Sequence, residues 1–370
     1  MKKRALLYFL IFTFSVFTNA QKSNISWIDA RKLCVEGMGW SEGIEDFTRL
    51  PGKYKSIVRD EIWDLSRNST GITIHFKVSG TKRIKAKWTL RMNRKDRPMH
   101  HMTEIGISGL DLYVKKNDKW VWMAVGKPTS PYKKQAFSLI SNLNASESYE
   151  LMLYLPLYNG VSKMMIGVDK GASLIVPPAS KKKPLVFYGT SIVQGCSASR
   201  PGMVFTSMLS REFDIPVINF GFSANGRIEE YFADVMGDIE AKAYFIDCLP
   251  NMKSFEENDV KERTLILVRK LKSLQPKTPI ILVENAPRWS YFYYDVNQKI
   301  FISLRKGLKG AYNELKKEFS DIQYIEGNQL FANSESTVDG VHPTDLGMYY
   351  YYETLKRITE NLLQRQHYKP

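Results

Sequence analysis

A serine at the end of an apolar run is the first place in this chain where chemistry can be read. In 184-PLVFYGTSIVQGCSAS-199 the apolar and aromatic residues describe a buried strand that breaks at Gly189, Thr190 and Ser191. Such a serine is either an ordinary strand-to-helix turn residue or a hydroxyl held where a substrate can reach it. A serine hydroxyl is a poor nucleophile at neutral pH and needs a base, normally a histidine held in one tautomer by a carboxylate. The chain has 5 histidines, so the candidates can be sorted one by one. His75 falls on the polar face of a strand, His100 and His101 are adjacent in RPMHHM in the first half, and His367 lies in the C-terminal tail. His342 remains, in 339-DGVHPTD-345. Asp339 precedes it on a loop that contains Gly340 and is stopped by Pro343. A turn of that length can fold the carboxylate onto one ring nitrogen and leave the other for Ser191. Thr344 or Asp345 then caps the next helix. Read alone, DGVHP is equally a helix entry with an incidental histidine; paired with a strand-end G-T-S, it reads as a base. Acyl chemistry also needs donors for a developing oxyanion. Two stretches offer them: 219-NFGFSANGR-227, whose glycines keep backbone N–H groups accessible, and 247-DCLPNM-252, where Asn251 carries a side-chain amide.

The elements that must position these groups fall into two halves with different periods. From about 55 to 178 the apolar residues alternate: in 72-ITIHFKV-78, Ile72, Ile74, Phe76 and Val78 face one way and Thr73, His75 and Lys77 the other. Many short strands of this kind, separated by SGTK, KNDK and YNGVSK, predict a β-sandwich or jelly roll. VPPASKKKP (176–184) reads as a linker, because its prolines cannot join a ladder. After it, continuous apolar strands (184–189, 215–222, 241–249, 279–285, 322–327) alternate with helical stretches (202–213, 226–239, 259–274, a long one to about 319, and 346–366). That alternation predicts a parallel sheet covered on both faces, with ligands bound beyond the carboxyl ends of the strands. Ser191 falls just past the first such end, and the two donor stretches just past the second and third.

GTSIVQG, NFGFSANG, DCLPN and DGVHPTD, in this order, resemble the four blocks of the SGNH/GDSL hydrolase superfamily over roughly 183–366. In addition, 109-GLDLY-113 resembles the signature of the jelly-roll domain that precedes the catalytic domain in one bacterial subfamily. The resemblance implies a flavodoxin-like, three-layer α/β domain with a parallel sheet, preceded by an all-β sandwich. The expected division is 1–20 signal peptide, 21–178 sandwich, 179–183 linker and 184–370 hydrolase domain. It further implies Ser191 as nucleophile, His342 as base and then acid, and Asp339 as its orienting partner. The oxyanion donors would be the N–H groups of Ser191 and Ala224 and the Asn251 side chain. Two positions depart from the family. Thr190 replaces the aspartate of G-D-S, as in the two-domain subfamily. Ala224, after Ser223, replaces the second-block glycine; its N–H survives as a donor unless the backbone there requires positive φ, in which case the donor is misplaced.

Lys2, Lys3 and Arg4, the apolar run 5–17 and Thr18-Asn19-Ala20 read as a signal peptide, with the mature chain starting at Gln21 and exported to the periplasm or beyond the cell. The apolar run is too short for a membrane anchor, since spanning needs about 20 residues. The net charge of +15 includes those three basic residues, so the mature chain keeps +12. Its lysines and arginines are scattered and no nucleic-acid recognition pattern accompanies them, which excludes nucleic acid as the partner. Cys34, Cys196 and Cys248 are too few and too widely spaced for a disulfide framework. No metal or cofactor signature is present. His100 and His101 speak against a metal role, because adjacent residues on a strand point to opposite faces. Export, an attached sandwich and the aromatic run 288-RWSYFYYD-295, with Trp289 and Tyr291 as candidate sugar-stacking rings, together predict an ester hydrolase that removes acetyl or another small acyl group from a carbohydrate. An acyltransferase, a lipase or thioesterase with the same residues, and a non-catalytic glycan-binding protein are the alternatives. The role of the sandwich and the oligomeric state are not legible.

Overall fold

The structure, a computed structural model, describes residues 24–43, 46–288, 295–331 and 333–364. The expected signal segment, Gln21, Trp289 and Tyr291 lie outside the described residues.

The first half is built from antiparallel strands: β1 (Ile25–Asp29), β2 (Cys34–Glu36), β3 (Thr73–Ser79), β4 (Ile84–Leu90), β5 (Leu110–Lys116), β6 (Lys119–Gly126), β7 (Lys134–Ile140), β8 (Ser148–Tyr154), β9 (Val161–Asp169) and β10 (Ser173–Ile175). They form one sheet in the order β1-β9-β4-β7 and another in the order β10-β3-β8-β5-β6, with β2 also paired to β3. The alternation seen in sequence is the burial pattern: Ile74, Phe76 and Val78 of β3 and Ala86, Trp88 and Leu90 of β4 fill the space between the sheets. Two short helices interrupt this half, α1 (Asp60–Ser66) and α2 (Glu104–Ser108).

In the second half, strands β11 (Leu185–Gly189), β12 (Val217–Gly221), β13 (Ala243–Asp247), β14 (Ile280–Val283) and β15 (Ile322–Ile325) alternate with helices α3 (Ser191–Gln194), α4 (Phe205–Phe213), α5 (Phe232–Gly237), α6 (Glu257–Leu274), α7 (Asp295–Glu318) and α8 (Asp345–Gln364). The sheet runs β12-β11-β13-β14-β15, and every pairing in it is parallel. This is the doubly wound flavodoxin-like order, whose crevice lies where the strand order reverses, at the ends of the first, second and third strands. Strand residues alternate between two apolar layers, as buried parallel strands must. Val186 and Tyr188 face the α5–α6–α7 side, and Leu185 and Phe187 face the α3–α4–α8 side.

The two halves are not separate in packing. Leu50, Tyr54, Val58 and Ile62, which precede most of the sandwich strands, are buried in the α5–α6–α7 layer of the parallel sheet. Arg49 is 1% exposed, and among the described residues no carboxylate pairs with it. It donates to the carbonyls of Leu65 (2.6 Å), Asn68 (3.1 Å), Asn219 (3.1 Å) and Gly221 (2.6 Å), covering the edge of β12. Burial lowers its pKa to about 9.

The helix expected from 226 begins only at Phe232. The intervening backbone is held by tertiary contacts that outweigh local helical preference. Gly226 packs so tightly on β11 that a Cβ would lie 2.1 Å from the Gly189 carbonyl oxygen, and Ile228 has φ of 54°. Cys34, Cys196 and Cys248 are free and buried. No helix among the described residues is long and apolar enough to cross a membrane.

Candidate active site

Gly189 pairs with Gly221 on one side and Asp247 on the other, so the segments that follow three neighbouring strands leave the sheet at one edge. Ser191 opens α3, capped by Thr190, whose hydroxyl accepts from the Ile192 N–H at 3.3 Å. Ser191 is 6% exposed. Its Oγ lies 3.0 Å from Nε2 of His342, and Nδ1 of His342 lies 2.7 Å from Oδ2 of Asp339. The other Asp339 oxygen accepts from the backbone N–H groups of Val341 (3.0 Å) and His342 (2.8 Å). The short D-G-V-H turn thereby fixes the carboxylate and ring together, with Gly340 at φ 83°, a conformation that favours glycine. Burial alone would raise the Asp339 carboxyl, but these donors and the His342 ring outweigh it and hold its pKa below the usual value. Thr344 is the cap of α8, accepting from the Gly347 N–H at 3.3 Å. Asp345 turns instead to Ser199, accepting from its N–H (2.9 Å) and hydroxyl (2.5 Å), and so ties α8 to the loop after α3.

The second segment answers the question posed by Ala224. Its φ is 59°, so the position requires the left-handed conformation and alanine adopts it, at a cost on the order of 1 kcal/mol. The surroundings over-determine that geometry. Arg227 donates to the Ala224 carbonyl (3.0 Å), and Arg59 donates to Oδ1 (2.9 Å) and the carbonyl (2.8 Å) of Asn225. Gln194 accepts from the Ser223 N–H at 2.9 Å. The N–H groups of Ser191 and Ala224 have no acceptor among the described residues. Asn251 lies in a 3-10 turn after β13. The orientation of its amide that satisfies both ends has Oδ1 accepting from the N–H groups of Asn225 (3.0 Å) and Gly226 (3.2 Å), which leaves the NH2 to donate elsewhere.

Two groups at this edge were not assigned from sequence. His101 and the catalytic-candidate ring of His342 stack, with centroids 5.0 Å apart and planes 21° apart, and Nε2 of His101 lies 3.1 Å from Sγ of Cys196. The expectation that His100 and His101 lie on a strand is corrected: both are in the turn before α2, so alternation does not apply. Nothing local in RPMHHM signals the contact, which depends on how the halves pack. The second group is the buried acid Asp247 at the end of β13. One of its oxygens accepts from the Tyr351 hydroxyl at 2.5 Å and the other has no partner among the described residues; burial raises its pKa to about 7. A cavity of about 910 Å³ lined by Trp40, Pro184, Pro216 and Ile218 opens at the opposite, amino-terminal end of the sheet and shares no residue with this site.

The GLDLY segment joins the halves. Asp111 is fully buried; one oxygen accepts from Arg200 (2.7 Å) and the Gly202 N–H (2.8 Å), and the other from the Trp122 indole (3.0 Å). Arg200 also donates to the Tyr113 hydroxyl at 2.6 Å.

A doubly wound sheet with Ser191, His342 and Asp339 hydrogen-bonded in series at its carboxyl edge belongs to the class of α/β hydrolytic enzymes. Comparison with known proteins narrows the class. The GDSL-like Lipase/Acylhydrolase family matches residues 182–360, and the GxDLY family, the N-terminus of Esterase_SGNH_hydro-type proteins, matches residues 25–174. A Bacteroides ovatus ATCC 8483 protein assigned as a GDSL-like lipase is 32% identical, with a TM-score of 0.85 over 92% of this chain and 98% of that one. The chain therefore belongs to the GDSL-like lipase/acylhydrolase family, whose members are hydrolases acting on esters, and carries the GxDLY N-terminal domain. Two further structures share the fold. The salicylyl-acyltransferase SsfX3 from a tetracycline biosynthetic pathway has a TM-score of 0.71 at 15% identity, covering 93% of this chain and 96% of its own. A family two carbohydrate esterase from Cellvibrio japonicus has a TM-score of 0.59 at 13% identity, covering 92% and 98%. Among curated protein sequences there is no match.

Proposed function

We propose that this protein is an exported serine esterase that removes acetyl or another small acyl group from a carbohydrate. The observation that carries the reading is the continuous chain from Ser191 Oγ through His342 to Asp339 at 3.0 and 2.7 Å. In the proposed cycle, Ser191 Oγ attacks the ester carbonyl as its proton passes to Nε2 of His342. Asp339, held ionised by its three protein donors, keeps the Nδ1 proton in place and stabilises the imidazolium. The oxyanion receives hydrogen bonds from the N–H groups of Ser191 and Ala224 and the NH2 of Asn251. Collapse returns the proton to the departing sugar hydroxyl. Water then repeats the sequence on the acyl-enzyme, releasing the carboxylic acid and restoring Ser191. The carbohydrate half of the proposal draws on the sandwich domain, the export signal expected from the sequence and the fold shared with a carbohydrate esterase. Trp289 and Tyr291 remain candidates for stacking on the sugar.

The test is acetate release from acetylated glycans, beside nitrophenyl esters of short and long chains, with Ser191→Ala as the control. We expect preference for acetyl and a loss in Ser191→Ala of at least about 10⁴-fold in kcat. Full activity in that variant would exclude the mechanism. Preference for long acyl chains, or transfer to an added sugar faster than hydrolysis, would exclude the deacetylase.

A further inference from the structure

We infer that His101, Cys196 and His342 form a zinc site whose occupation switches the esterase off. One ligand atom from each of the three residues lies within 4.8 Å of the others. Nδ1 of His342 is occupied by Asp339, so Nε2 is its coordinating atom, and that is the atom 3.0 Å from Ser191 Oγ. His101 Nε2 and Cys196 Sγ already sit 3.1 Å apart. A tetrahedral zinc with bonds of about 2.1 Å to nitrogen and about 2.3 Å to sulfur spaces its ligand atoms roughly 3.5 Å apart. Gathering this cluster therefore takes shifts of about 1 Å, within the reach of side-chain rotation. The fourth position falls to Ser191 Oγ or water. Asp339 on the far side of His342 supplies the carboxylate–histidine–metal arrangement that orients a ligating imidazole.

The donor set selects the ion. One thiolate and two imidazoles suit a borderline-soft cation such as zinc; calcium and magnesium require oxygen ligands and are excluded. As the metal–sulfur bond forms, the Cys196 proton leaves to solvent and the ion takes the Nε2 lone pair that would otherwise accept the Ser191 proton. His101 and His342 are both partly exposed and Cys196 is buried beneath them, so the ion enters past the two rings. The site joins a residue of the sandwich half to two of the α/β half.

The switching consequence rests on the proposed esterase mechanism; the binding site does not. The test uses the whole purified chain in metal-free buffer with cobalt(II) and zinc(II) as probes. We expect one cobalt per chain with a thiolate-to-cobalt absorption band, displaced by zinc and absent in Cys196→Ser. We also expect zinc to inhibit nitrophenyl acetate hydrolysis, EDTA to restore it, and magnesium to have no effect. In Cys196→Ser and in His101→Phe, which keeps a ring over His342, the half-inhibiting zinc concentration rises at least about tenfold, each variant being compared with its own metal-free rate. Absence of the thiolate band overturns the site, whatever the esterase does. A thiolate band with equal zinc sensitivity in all three proteins overturns the switch.

Discussion

Replacing Asp111 with alanine should loosen the join between the two halves, and the consequence can be worked out from its neighbours. The carboxylate is fully buried and accepts from three donors, Arg200, the Gly202 N–H and the Trp122 indole. Burial is the largest influence on it and raises its pKa, with Arg200 and the Gly202 N–H opposing. The pair thus acts as a locator more than as a source of net stability, as buried ion pairs commonly do. Removing only the acid leaves a guanidinium whose side chain is 21% exposed, and two further N–H groups, without their acceptor. Breaking one side of such a pair costs about 3–5 kcal/mol. Arg200 keeps the Tyr113 hydroxyl and some solvent, so the lower end, about 3 kcal/mol, is expected. Asp111→Asn retains one acceptor oxygen and should cost about 1–2 kcal/mol. The loop that loosens runs from α3 to α4 and contains Ser199, the partner of Asp345 at the start of α8. Its release lets His342 drift from Ser191, and a misplacement near 1 Å is worth up to about 10²-fold in rate. Urea unfolding and nitrophenyl acetate kinetics on the same samples check this, with kcat falling more than KM rises. A stability change below about 1 kcal/mol in Asp111→Ala, with kcat unaltered, would refute the reasoning.

Two further outcomes follow from groups around Ser191. Asn251→Ala removes the proposed amide donor and should lower kcat by about 10²–10³ with little change in KM. It also takes a second acceptor from the N–H groups of Asn225 and Gly226, but both keep the Phe222 carbonyl (2.9 and 3.1 Å), so stability should change by less than about 1 kcal/mol; an Asn251→Asp variant with full kcat would remove Asn251 from the mechanism. Asp247 has its pKa raised to about 7 from an ordinary 3.8, so the folded state holds a proton that the unfolded state has lost. Its contribution to stability is intact below about pH 4, declines as pH rises to about 7 and is level above, amounting to roughly 4 kcal/mol. Urea midpoints of Asp247→Asn should therefore lack a decline that the parent shows between pH 4.5 and 7.5; parallel profiles would mean that Asp247 does not hold this proton.

Periodicity made the second half legible, because a parallel sheet buried on both faces demands continuous apolar strands, and β11 to β15 are all of that kind. Ser191, His342 and Asp339 were legible for a different reason. Few histidines compete, and a D-G-V-H turn can satisfy a ring nitrogen locally. His101 was not, since its neighbour Cys196 is 95 residues away and the contact is set by domain packing. Ala224 hid its left-handed backbone, which a glycine there would have advertised; the cause lies in Arg59, Arg227 and Gln194. The short α5 had a similar origin, with Gly226 pressed on Gly189 where the apolar pattern predicted a helix. The GLDLY segment was recognisable as a signature, yet what Asp111 does became clear only from Arg200 and Gly202.

These misses share a physical cause that bears on why a sandwich precedes the hydrolase fold. Three segments at the site are held by residues of the first half. Gln194 of α3 donates to the Leu157 carbonyl at 3.2 Å. The loop after β12 is held through Asn225 by Arg59. The loop after α3, which anchors α8, is held at Ser199, whose carbonyl accepts from Thr103 at 2.5 Å. A flavodoxin-like sheet fixes where its strands end, but not the course of the loops beyond them, and acyl transfer needs those loops placed to within a fraction of an ångström. The first half supplies that placement through Arg59, Thr103 and the Leu157 carbonyl. It therefore belongs to the candidate site as scaffolding.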